Sequence, residues 1–128
     1  MNYQKIHDSI IDKAKSSNRV KTRESYYESH HIIPKCLGGD NSKTNLALLT
    51  AREHYIVHKC LAKIHEHDSK VYRKMIYALH RFIYSKNADY KITSREYENI
   101  KRLHRESVST DLRGKRKSTE VRAKMSAA

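Results

Sequence analysis

The sequence predicts an α+β protein, mostly helical, in which a short hairpin leads into a helix, with further helices flanking it and a basic arm at the C-terminal end. Three observations predict this. Two short runs of strand character, 29–33 and 45–49, flank a loop that carries Gly38-Gly39. At Thr50 the apolar period changes from two to about 3.6. The most regular amphipathic stretch, Val71, Tyr72, Met75, Ile76, Leu79, Phe82 and Ile83, follows that change. A length of 128 residues allows one small domain plus appendages, and a hydrophobic share of 38% without Trp limits it to a modest core.

Each element has its own signal. Ile6, Ile10, Ile11 and Ala14 recur at helical spacing from Tyr3, and Ser16-Ser17-Asn18 then breaks the helix. After a polar, basic stretch over 19–27, the β-branched Ile32-Ile33 pair continues an extended run that Pro34 stops. The loop through Ser42 is expected to turn on Gly38-Gly39 and Asp40-Asn41, residue types that tolerate positive φ. Asn45 to Leu49 reads as the second strand. Thr50-Ala51-Arg52-Glu53 has the spacing of a capping box, so a helix should start at Ala51, carry Val57, Leu61 and Ile64 on one stripe, and end near Ile64. Beyond a polar link at His65-Glu66-His67-Asp68 comes the amphipathic helix of 71–83. A turn near Asn87-Ala88-Asp89 leads to a second capping box, Thr93 to Glu96, and a helix with Tyr97, Ile100 and Leu103 on one side. After Glu106 apolar material thins, and 101–128 holds nine Lys or Arg against three acids. The chain is therefore divided into a domain over 1–106 and a basic tail over 107–128.

Charge narrows the function. Lys plus Arg number 27 against 14 Asp plus Glu, a net +13, which argues for a polyanionic partner, nucleic acid before an anionic membrane. No run approaches the ~18 apolar residues of a spanning helix, and the first residues lack the apolar stretch of a signal peptide. The expectation is a soluble, cytoplasmic protein with no membrane role and no obligate protein partner. Cys36 and Cys60 stand apart without a CxxC pair, so reduced thiols are expected rather than a disulfide framework or a thiolate zinc site.

Nine histidines are the compositional oddity. His54 and His58 lie four apart on a helix and so share a face, where they can present two imidazoles to one ion. Taken alone, the pair reads better as a polar face at a core boundary. His30 and His31 are neighbours on a strand and point to opposite sides, so one can bind an ion and the other is free for another task. If the hairpin crosses the first turns of the helix, His30 becomes a third ligand and coordination positions stay open, as a catalytic rather than a closed site requires. His65 and His67 read as solvated link residues, and His7, His80 and His104 as surface or boundary residues. Tyr26 and Tyr27 read as packing or groove aromatics rather than nucleophiles.

The set Glu28-Ser-His30-His31-Ile-Ile-Pro34, Gly38-Gly39, Asn45-Leu46 and His54-x3-His58 resembles the HNH, or ββα-metal, endonucleases, in particular their three-histidine variety, which includes the colicin-type nucleases. The resemblance spans about residues 28 to 58, and the motif core is taken as 28–64. It implies that His30, His54 and His58 bind a divalent cation and that His31 is the general base acting on water. Asn45 would tie the two limbs of the hairpin together and orient the His31 loop, and Glu28 would steady an Arg or a ligand histidine from the outer layer. Three imidazoles suit Zn²⁺, Ni²⁺ or Mn²⁺, whereas its cellular abundance favours Mg²⁺, held partly by substrate phosphate.

The tail carries a second resemblance. Leu112-Arg113-Gly114-Lys115-Arg116-Lys117-Ser118, continuing through Glu120, Arg122 and Lys124, is similar to the nuclease-associated modular DNA-binding motif of phage-type homing endonucleases, with Ser118 a suitable N-cap for a short helix. The resemblance implies that Arg113, Lys115, Arg116, Lys117, Arg122 and Lys124 contact double-stranded DNA, and that the protein works inside a phage-infected or bacterial cell. The expected function is a metal-dependent DNA endonuclease that hydrolyses phosphodiester bonds. Two alternatives are a DNA-binding module that a metal merely braces and a toxin-like nuclease without sequence choice.

Overall fold

The computed structural model describes residues 1–84 and 92–113. Helix α1 (Tyr3–Ser16) is capped by Asn2, whose side chain accepts from Lys5 N. Strands β1 (Glu28–His31) and β2 (Leu46–Leu49) pair antiparallel with Glu28 opposite Leu49, His30 opposite Ala47 and His31 opposite Leu46. Helices α2 (Ala51–Ile64), α3 (Lys70–Arg81) and α4 (Ser94–Arg113) complete the set, with 3₁₀ turns at Lys35–Leu37, Lys43–Asn45 and Phe82–Tyr84. The mostly helical α+β expectation holds.

Helix α2 is the common wall of two apolar clusters. On one side Val57 packs with Ile11 and Ala14 of α1 and Ala47 and Leu49 of β2. On the other, Tyr55, Leu61 and Ala62 meet Tyr72, Met75, Ile76 and Leu79 of α3 and Ile100 of α4. Its start is fixed by the full capping box: Thr50 Oγ1 accepts from Glu53 N at 3.1 Å, and Glu53 Oε1 accepts from Thr50 N at 2.9 Å. At α4 the first half of the same device forms, Glu96 N to Thr93 Oγ1 at 3.1 Å, while the Glu96 carboxylate takes Lys59 Nζ at 2.5 Å. Helix α4 then runs unbroken past 106 to Arg113, with Ser107 buried and Asp111 accepting from Arg73 Nε at 2.6 Å. The turn near Asn87 lies outside the described residues.

The hairpin loop turns differently from the expectation that both the Gly-Gly and Asp-Asn pairs supply positive φ. Only Gly38 does so there, at φ +93. Gly39 is needed for another reason, since a Cβ on it would collide with the Ile33 carbonyl and come within 2.9 Å of Asn45 Nδ2. Asp40 instead accepts from both Ser42 N (3.1 Å) and Ser42 Oγ (2.6 Å), and this closes the turn through a side chain without a left-handed residue.

Candidate metal centre

The antiparallel pairing turns the face of β1 that carries His30 toward α2, because Ala47 and Leu49, its neighbours on that face of the sheet, are buried there. His54 and His58, one turn apart on α2, meet it. The three imidazole centroids form a nearly equilateral triangle, 5.2 Å (His30–His54), 5.1 Å (His30–His58) and 4.9 Å (His54–His58). One ring nitrogen from each lies within 4.8 Å of the others. An ion at ~2.1 Å from each ligand would hold those nitrogens within about 4.2 Å of one another, so a small side-chain adjustment closes the trio on it. Phe82 seals the same corner, 5.0 Å from the His54 ring and 5.2 Å from that of His58.

The donor set suits a cation. His30 Nε2 and His58 Nδ1 are buried with no hydrogen-bond partner among the described residues, which is costly for a polar atom unless something else takes the lone pair. Burial pushes the His30 imidazole down to about 2 and that of His58 down to about 3, helped in each case by neighbouring histidines. His54 is lowered by burial too, against the opposing pull of Glu28. All three are neutral and ready to donate at neutral pH. The His54 tautomer is set by Glu28, whose Oε1 accepts from Nδ1 at 2.8 Å and so leaves Nε2 for the centre, while Glu28 Oε2 accepts from Tyr26 OH at 2.5 Å.

His31 and the trio line one cleft with Ser29, Pro34, Lys35, Cys36, Lys74, Met75, Tyr77, Ala78 and Arg81. His31 Nε2 lies 2.8 Å from Asn41 Oδ1; an amide oxygen can only accept, so Nε2 is the donor of this bond and Nδ1 is not used in it. Asn45 binds the limbs of the loop: Oδ1 accepts from Ile33 N (2.8 Å), and Nδ2 donates to Ile33 O (3.1 Å) and Asp40 O (2.8 Å). Burial and its hydrogen bond to Asp111 push the Tyr77 phenol up to about 12.

Of the other histidines, His7 departs from expectation, whereas His80 and His104 are half-buried, as boundary residues are. His7 is buried at 2% exposure rather than sitting at the surface, with its ring 5.8 Å from that of His30 and Nδ1 3.0 Å from Asp8 Oδ1. Its spacing with Ile11 and Ala14, one face of α1, is the signal that could have found it. His80 and His104 stack face to face across α3 and α4, centroids 3.7 Å apart, instead of standing isolated. His65 and His67 lie outside the trio, as expected. Cys36 is exposed, Cys60 is buried, and both are free. Arg113 ends α4 exposed, and Lys115, Arg116, Lys117, Arg122 and Lys124 lie outside the described residues. No described helix is long and apolar enough to cross a membrane.

No protein-family model matches the chain, and no solved structure does. Among the curated proteins it is similar to are these of phage T4: "Probable mobile endonuclease D", 39% identical over 98% of this chain and 49% of that protein; "Probable mobile endonuclease E", 38% identical over 98% of this chain and 83% of that protein; and "Probable mobile endonuclease C", 32% identical over 100% of this chain and 55% of that protein. The chain thus spans about half the length of relative D and most of relative E. With that identity sustained over nearly its whole length, the chain belongs to the family of these phage T4 mobile endonucleases.

Proposed function

We propose that the chain is a metal-dependent DNA endonuclease of the HNH kind, similar to homing endonucleases, that hydrolyses phosphodiester bonds to leave 5′-phosphate and 3′-hydroxyl ends. The observation that carries this reading is the shared cleft: three imidazoles converge within 4.8 Å, and a fourth, His31, lines the same cleft with Nε2 engaged by Asn41. The printed names of the T4 relatives agree with it.

His30, His54 and His58 would hold the divalent cation, Mg²⁺ by abundance or Mn²⁺, Ni²⁺ or Zn²⁺ by ligand softness. When bound, it supplies charge stabilisation to the pentacoordinate transition state and to the departing 3′ oxygen. His31 Nδ1 takes the proton of the attacking water, with Asn41 fixing its tautomer through Nε2. Asn45 holds the loop on which His31 and Asn41 face each other, and Glu28 orients His54. Arg113 and the basic residues 115–117, 122 and 124 would add phosphate contacts from the tail. In a nicking assay on supercoiled plasmid with Mg²⁺ or Mn²⁺, His31→Ala is expected to lose roughly 10²- to 10⁴-fold in rate while still binding metal and duplex. Near-normal nicking by this variant would refute the base assignment, and wild-type protein that never nicks with any metal would leave only a binding module.

A further inference from the structure

The wall of the cleft opposite β1 is α3, which presents Lys74, Tyr77, Ala78 and Arg81 at helical i, i+3, i+4 and i+7 spacing; Lys35 faces it from the 3₁₀ turn. Among the described residues no Asp or Glu lines this cleft. Lys35, Lys74 and Arg81 have no acidic partner among the described residues, although acids stand close by: Arg73, the neighbour of Lys74, is taken by Asp68 and Asp111. Arg81 also borders the depression between His54, His58 and Phe82. A guanidinium without an acidic partner among the described residues, set beside imidazoles that would hold a cation, would be repelled by that cation unless an anion joins them, and planar donors suit a phosphate oxygen pair.

Resting on the nuclease reading, we propose that Arg81 and Lys74 grip backbone phosphates of the strand being cut, with Lys35 across the cleft, so that α3 lays that strand over the histidine trio. Seven residues of helix rise about 10 Å, matching about three phosphate steps of one strand at ~3.4 Å each along the duplex axis. Arg81, nearer the trio, takes the phosphate at or beside the scissile bond, and Lys74 takes one farther along. The two side chains are solvent-exposed, so their loss leaves both apolar clusters intact.

The test separates binding from cleavage. Anisotropy of a labelled duplex in EDTA, measured over a series of KCl concentrations, reads phosphate contacts without turnover. Arg81→Ala and Lys74→Ala should each weaken binding at low salt and flatten the log–log salt slope by about one contact, the double variant by about two, with Lys5→Ala outside the cleft as control. Plasmid nicking by Arg81→Ala should fall at least tenfold, partly restored in Arg81→Lys, while circular-dichroism melts stay unchanged. A double variant with wild-type slope and wild-type nicking overturns the proposal and leaves the nuclease reading in place. Wild-type protein that binds duplex but never nicks removes the nuclease reading, and the salt slopes alone then decide the phosphate contacts.

Discussion

Gly38 and Gly39 are adjacent and are glycine for unrelated reasons. At Gly38 the backbone is left-handed in open space, so Gly38→Ala is expected to destabilise by about 1 kcal/mol. At Gly39 any Cβ strikes the carbonyl of Ile33 and crowds the Asn45 amide, so Gly39→Ala should lose about 3 kcal/mol and misplace the His31 loop. Urea melts of the two variants, set beside their nicking rates, check the contrast; equal effects would show that the loop yields. The members of the trio were legible one by one, as a helical i, i+4 pair and a strand histidine before Pro34, but the pair alone read as a polar face, and the resemblance over residues 28 to 58 was what joined the three. His7 was not legible, although its spacing offered a clue, because a histidine between apolar neighbours does not announce what lies across from it. Asn41 was missed as the partner of His31 because pairing over ten positions depends on how the loop folds back.

Helix boundaries could be read where side chains cap them. Thr50 and Glu53 placed the start of α2 at Ala51, and Ile64 ends it as expected. The 3₁₀ turns and the long continuation of α4 could not, since Ser107 and Asp111 are kept helical by burial and by Arg73 rather than by propensity. The start of α2 is also braced from a distance. Arg19 donates to Glu53 Oε1 (2.5 Å), Glu53 Oε2 (3.2 Å) and Leu48 O (3.1 Å), tying the polar 19–27 stretch to both the capping box and β2. The guanidinium holds the Glu53 carboxyl below its usual range, so this support is present above about pH 4.5 and is lost as acid protonates Glu53. Arg19→Ala should lower stability at pH 7 by about 1.5–3 kcal/mol, with a smaller penalty at pH 3; an equal loss at both pH values would show that packing, not the ion pair, carries the effect.

Over the molecule as a whole, the histidine trio links stability to protons and, under the proposed cation site, would link it to metal. His30 and His58 titrate at about 2 and about 3 when folded, against ~6.5 for an unperturbed imidazole, so the unfolded chain binds protons first. Their contribution is complete above pH 6.5 and is withdrawn as pH falls below it, at up to ~1.4 kcal/mol per pH unit for each. Metal-free protein should therefore lose thermal stability between pH 7 and 5, and His30→Asn with His58→Asn should flatten that dependence. Mn²⁺ or Zn²⁺ at 100 times its dissociation constant should add about 2.7 kcal/mol at pH 7, and about as much at pH 5, because folded His30 and His58 stay unprotonated there. Melting curves that ignore both pH and metal would contradict the centre.

Because α2 contributes Val57 to one cluster and Tyr55, Leu61 and Ala62 to the other, and carries two of the three imidazoles, neither half of the molecule can come apart by itself without dissolving the centre. Cohesion and the proposed chemistry share one rod: a substitution that loosens the middle of that helix should undo both in the same stroke.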